Sequence, residues 1–221
     1  MEKYDIEIIE KTAQYVRENS HNDSAHDWYH IEVWKNAKYI WERENADLFI
    51  VELAILLHDI WDHKFNNWVE RWPELAQKWL ESLWVEKHII EHVCHIIDTM
   101  WFKWTGKSKP KTLEWLVVQD ADRLDSMWAI TIWRIFSIWQ KFWRPMYNPE
   151  VKSRKYKDSE DYLTTQTPEW DHTIKHFYDK LLLLKDLINT KTAKKVAEKR
   201  HKVMVDFLEE FLIEWDWKDF E

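Results

Sequence analysis

Glycine is almost missing from this chain: Gly106 is the only one in 221 residues. Turns that need a positive φ must therefore rely on Asn and Asp, which tolerate that geometry less well. Cysteine is equally scarce. Cys94 stands alone, which excludes an internal disulfide and thiolate-rich metal centres, and fits a reducing compartment. No stretch reaches 18 apolar residues, and the opening MEKYDIEIIEKTAQYV carries charges throughout. It has neither the apolar segment of a signal peptide nor a membrane span, so a cytoplasmic location is expected. Positive charge is short as well: 32 Lys and Arg face 40 Asp and Glu, a net charge of −8. A protein that binds long nucleic acid over its whole surface is usually basic. A small anionic substrate needs only a local cluster of Lys and Arg.

What is present reads as globular. Hydrophobic residues make up 45% and charged residues 33%, and the length suits one domain with a closed core. Tryptophan is over-used, with 18 copies. Several stand where a small residue is natural, such as Trp61 and Trp128, and neither composition nor periodicity explains the bias.

Helical periodicity runs through nearly every long segment, and no convincing strand is found. Helices are expected over 4–19, 28–44, from the N-cap Asp47 to His58-Asp59, and over 74–83 and 85–99. Others are expected over 111–125, on to about 142, and over 169–188 and 191–217. The third is apolar on most sides and should be central. The last places Val203, Phe207, Leu208, Phe211 and Leu212 along one stripe. Residues 60–73 read as a loop, WFKWTGKSKP (101–110) as a basic loop, and 143–168 as the longest irregular piece.

Four residues point to metal chemistry when taken together: His30, His58, Asp59 and Asp122. His58-Asp59 ends the apolar run ELAILLHDI, where burying a polar pair is costly unless something binds it. Asp122 lies in VVQDADRLD, again directly after apolar residues, and shares a helix face with Asp125. His30 sits among aromatics in HDWYHIEVW. Two imidazoles and two carboxylates suit Mn, Fe, Co, Ni or Zn better than Ca. On a six-coordinate ion they leave positions open for water or a phosphate oxygen. Asp62, four residues after His58, is placed to act as a general base. Lys64 could neutralise a phosphate. Lys103, Lys107, Lys109, Arg123, Arg134 and Arg144 are further anion-binding candidates.

Each of these residues has an ordinary reading on its own, as core histidine, cap, turn residue or solvated cation. His26-Asp27 shows how little one dipeptide means; only the joint arrangement carries weight. His88, His92 and His95 share one helix face at i, i+4, i+7 and form a competing cluster. It reads as a second metal site, a phosphate contact or an incidental face, with His92 the favoured member. His172 and His176 form another i, i+4 pair.

The order H…HD…D resembles the HD-domain phosphohydrolase superfamily, and within it the YpgQ/YedJ-like bacterial branch. The matching segments are HDWYHIEVWKNA (26–37), ELAILLHDIWDHKF (52–65), IEHVCHII (90–97), VVQDADRLD (117–125) and HFYDKLLLLKDLINTKTAKKVAEKRH (176–201). The resemblance implies an all-α, single-domain HD fold over 1–221. Its core motifs would span 26–125 and a C-terminal helical extension 169–217. It implies a mononuclear site with His30, His58, Asp59 and Asp122 as ligands and Asp62 as catalytic carboxylate. Lys64, Lys103, Arg123 and His92 would then face substrate. The implied cofactor is a divalent ion, Mn first, with Ni, Co, Fe, Mg or Zn as alternatives. The implied reaction is hydrolysis of nucleoside triphosphates to monophosphate and pyrophosphate. A nucleoside 5′-monophosphatase and a non-catalytic metal- or nucleotide-binding module stay as alternatives. Expected partners are small nucleotides, not long nucleic acid or membrane, with a homodimer left open. This chain departs from similar proteins at Trp61, where they carry a small residue, and around Trp128, Thr131, Trp139 and Trp143, where they favour glycine. After HIE it runs straight to Val33, where an Arg is usual. An indole at 61 would crowd the open coordination positions and bear on activity more than on metal binding.

Overall fold

Helix follows helix along the computed structural model, which describes residues 3–19, 29–58, 72–100, 112–141, 143–157, 159–164 and 171–218. No strand occurs among the described residues. No helix among them is long and apolar enough to cross a membrane. The chain divides into two compact units. The first is Met1–Phe102 with Ser108–Asp122, and the second is Lys103–Lys107 with Arg123–Glu221.

The first unit contains α1 (Lys3–Asn19), α2 (Tyr29–Glu44), α3 (Leu48–Leu57), α4 (Trp72–Ser82), α5 (Lys87–Thr99) and most of α6 (Leu113–Asp125). Asp47 caps α3 as the sequence implies: its carboxylate accepts from the N–H groups of Phe49 and Ile50. Every residue from Phe49 to Leu57 is buried, so α3 is the central helix, packed by α1, α2 and α5. Its one buried acid, Glu52, accepts a 2.8 Å hydrogen bond from the Trp34 indole of α2. α5 turns Ile90, Val93, Ile96 and Ile97 inward, the i, i+3, i+6, i+7 pattern of a helical stripe. The loop expected over 60–73 lies outside the described residues up to 71, and α4 starts at Trp72, ahead of Pro73. Proline suits this first turn because its missing N–H would have no helical partner there. The basic loop 101–110 is outside the described residues.

The second unit contains α7 (Ala129–Lys141), α8 (Ser159–Thr164), α9 (Thr173–Asp179), a 3-10 segment Leu181–Leu187 and α10 (Lys191–Trp215). Two expectations are corrected here. The stretch 143–168 is not wholly irregular, because α8 forms within it, with Glu160 and Asp161 in its first turn. The single helix expected over 169–188 is two pieces broken at Lys180 (φ −134°, ψ −57°). The leucine run explains the change: with three residues per turn, Leu181 and Leu184 fall on one side, and both are buried. α10 keeps only part of the expected stripe: Leu208 is buried and Phe207, Phe211 and Leu212 are half-buried. It buries Ala193, Ala197, Arg200, Met204 and Leu208, while Val203 is exposed. Phe136, Phe177, Phe207 and Phe211 stack in a chain of ring contacts at 6.0–6.3 Å between centroids. Trp128, at a site where a small residue looked natural, lies 3.9 Å beneath the Arg200 guanidinium.

A buried ionic network ties residues 144–156 to α9. The Lys175 ammonium contacts Asp179 at 2.5 Å and the Tyr156 hydroxyl at 2.6 Å, and Arg144 pairs with Asp171. His172 is part of the same anchor and not half of a metal pair with His176, whose ring packs on Trp139. His172 caps α9: its Nδ1 accepts from the Lys175 N–H, and its Nε2 donates to the Val151 carbonyl at 2.9 Å. The Nδ1 bond needs the neutral ring, and burial pushes the ring's pKa below 6.5. Below about pH 6.5 the unfolded chain then binds a proton that the folded chain resists, so stability falls as pH falls through that range. Urea unfolding at pH 7.5 and pH 5.5 should show this loss. A His172→Asn variant, which keeps a capping side chain without titrating, should lose less; an equal loss would clear His172 of the effect.

Candidate metal centre

Helices α2, α3 and α6 of the first unit are pinned to one another near the end of α3. Trp34 bonds Glu52 between α2 and α3. Asn36 Nδ2 donates to the Ala121 carbonyl of α6 at 3.3 Å, one residue ahead of Asp122. The three-residue connection Asn45–Asp47 makes α2 and α3 an antiparallel helical hairpin. The first turn of α2, where His30 stands, therefore belongs to the same end of the hairpin as His58.

His58 closes α3 with its N–H on the Ala54 carbonyl, and its side chain is 1% exposed. Its Nδ1 lies 2.8 Å from the Ile55 carbonyl oxygen. A carbonyl only accepts, so Nδ1 holds a proton, and in the neutral ring Nε2 carries the lone pair. Nε2 faces Asp122 Oδ1 at 3.8 Å. That is too far for a hydrogen bond. It is a separation that two ligands, each about 2.0–2.2 Å from one ion, readily span. The bond from the far ring nitrogen to a backbone carbonyl is the orienting contact that metal-binding imidazoles usually make. The donor chemistry of this pair thus fits a divalent ion.

The other expected site residues are distributed as follows. His30 lies in the first turn of α2, and its side chain is outside the described set. Asp59, Asp62, Lys64, Lys103, Lys107 and Lys109 lie outside the described residues. Among the described residues, no three His, Cys, Asp or Glu side chains gather where they could hold an ion. The histidines of α5 diverge in their contacts. His88 is exposed, with Nδ1 3.2 Å from Glu86. His92 Nε2 is 2.8 Å from the Thr112 hydroxyl and 3.8 Å from Glu114. His95 lines a cavity of about 670 Å³ beside Cys94, Glu91 and Asp98, and burial pushes the Cys94 thiol up to about 11. Of the cations, Arg123 donates to the Leu187 carbonyl, Arg134 pairs with Asp125, and Arg144 also stacks 3.5 Å over Trp139. Asp125 is therefore engaged by Arg134, whereas Asp122, 28% exposed, faces His58.

Sequence reasoning missed the supports around the pair. Glu114 accepts from the Asp47 N–H at 2.9 Å and lies beside His92, joining the start of α3 to the start of α6. Its position in the first turn after Pro110 was the available signal. Asn36 gave no signal, because nothing local marks a residue whose partner is 85 positions away.

A family model described as HD domain matches residues 28–127. YpgQ of Bacillus subtilis is 37% identical over 188 residues, covering 84% of this chain and 82% of its own. The chain is a member of the HD-domain family. The match places His30, His58, Asp59 and Asp122 inside the HD segment. Among solved structures, an HD-superfamily hydrolase of Bacillus thuringiensis is 39% identical, with a TM-score of 0.72 over 96% of this chain and 98% of that one. A Lactobacillus plantarum protein superposes with a TM-score of 0.80 at 30% identity, covering 98% and 99%. B. subtilis YpgQ has been solved in complex with ADP, and that structure matches with a TM-score of 0.69 at 33% identity, covering 92% and 95%. The all-α expectation for this HD-domain chain is thereby met.

Proposed function

We propose that this HD-domain protein is a divalent-metal-dependent nucleotide hydrolase that cleaves nucleoside triphosphates to monophosphate and pyrophosphate. The observation that carries the reading is the His58–Asp122 pair, with Nδ1 held on Ile55 and Nε2 3.8 Å from a carboxylate oxygen. The ADP complex of YpgQ supports a nucleotide as ligand class. The expected ligands are His30, His58, Asp59 and Asp122, and Mn is the expected ion. When bound, the ion would offset phosphate charge and acidify a water molecule.

The protein's own groups do the remaining work. His58 holds its orientation through the Ile55 carbonyl, so its ring needs little reorganisation on binding. Asp62 takes the proton of the attacking water. The water oxygen bonds to the α-phosphorus, the bond from that phosphorus to the bridging oxygen breaks, and pyrophosphate leaves. Lys64, Lys103, Arg123 and His92 are the expected contacts to the triphosphate. Product analysis on Mn-loaded protein tests the reaction. Pyrophosphate from triphosphates supports it; orthophosphate from monophosphates replaces it with the 5′-monophosphatase reading. Tight nucleotide binding without turnover replaces it with a binding module.

A further inference from the structure

Three helices of this protein end in the same hydrogen-bonded motif, and each puts tryptophan where the motif wants glycine. In a Schellman ending, the residue just past the helix adopts the left-handed conformation. Its N–H reaches back three residues, and the next N–H reaches back five. After α4, Trp84 N–H bonds Glu81 O at 3.1 Å and Val85 N–H bonds Leu80 O at 3.2 Å. After α7, Trp143 N–H bonds Gln140 O at 3.1 Å and Arg144 N–H bonds Trp139 O at 3.3 Å. After α10, Trp217 N–H bonds Glu214 O at 3.1 Å and Lys218 N–H bonds Ile213 O at 3.0 Å. The φ angles are 59°, 57° and 58°. The only other positive-φ residue described outside glycine is Asn45, an ordinary occupant of that region.

A Cβ is disfavoured in this conformation, and a large side chain gains nothing there unless it packs. These indoles are left largely in water, with Trp84 87% exposed, Trp143 84% and Trp217 75%. The first motif is otherwise complete, since Val85 and Leu80, the pair that normally make its apolar contact, are both buried. Trp34 is the contrast: its indole N–H bonds the buried Glu52. One group of tryptophans thus uses its ring and another occupies backbone sites made for no side chain, in a chain with 18 Trp and one Gly.

We infer that positions 84, 143 and 217 are glycine sites, and that the cell that makes this protein inserts glycine there through a codon other than the standard tryptophan codon. UGA is the codon that fits: it is one base from both the tryptophan codon UGG and the glycine codon GGA, so a tRNA for either residue needs one anticodon change to read it.

Two measurements test this. Peptide mass mapping of the protein isolated from its source organism should show glycine at 84, 143 and 217 and tryptophan at 34. Tryptophan at the three sites overturns the inference. In the recombinant chain, Trp84→Gly and Trp143→Gly should each raise Tm by about 2–4 °C above the matching alanine variants, since both remove the indole but only glycine removes the Cβ. Glycine variants no more stable than the alanine ones would also overturn it.

Discussion

Replacing His58 by alanine, or Asp122 by asparagine, is expected to lower Mn affinity and nucleotide hydrolysis together, each by more than about 100-fold. Changes that merely disturb the support of metal ligands typically cost 10–100-fold, and removal of a ligand itself exceeds that. The two variants should differ in stability. His58 is buried at the end of the central helix, so His58→Ala also leaves a core void and lowers Tm in the metal-free protein. Asp122 is partly exposed, so Asp122→Asn should leave the metal-free Tm nearly unchanged. Full activity in a well-folded Asp122→Asn protein would remove Asp122 from the site.

Asp62→Asn is expected to separate chemistry from binding. If Asp62 takes the proton from water, kcat falls by about 10²–10⁴-fold while metal stoichiometry and nucleotide affinity hold. The acidic limb of the pH profile should vanish with it. A loss of bound metal in this variant would instead make Asp62 a ligand. Trp61→Gly addresses the same segment: removing the indole between Asp59 and Asp62 should raise kcat, measured at saturating nucleotide.

Much of this architecture was legible because helix signals are local. Asp47 followed by an unbroken apolar run announced a capped, buried helix, and α3 is that helix. The break at Lys180 was not legible, since four leucines in a row satisfy a period of 3.6 as well as a period of 3. The stripe on α10 was only partly legible for a related reason. Its inner face keeps Leu208 of that stripe but continues through Met204, Arg200, Ala197 and Ala193, and Arg200 is tolerated because it bonds the Leu124 carbonyl and covers Trp128.

For the site, the sequence marked His58 and Asp122 through a single physical fact, polar groups at the end of apolar runs, and the geometry joins those two. That fact alone does not separate Asp122 from Asp125, three residues away on the same helix; only the family resemblance chose Asp122. Their partners separate them: Asp125 lies against Arg134, and Asp122 against an imidazole. Nor could the sequence show that Arg134 and Arg144 are tied to buried acids, because neither pair, 9 and 27 residues apart, falls at a helical spacing.

The most direct test of the central claim is one metal titration with activity read in the same sample. Protein stripped by chelator should hydrolyse no nucleoside triphosphate. Adding back Mn should restore pyrophosphate release in proportion to occupancy, saturating at one ion per chain. Hydrolysis that persists without metal, or metal that binds and restores no hydrolysis of any nucleotide, would contradict it.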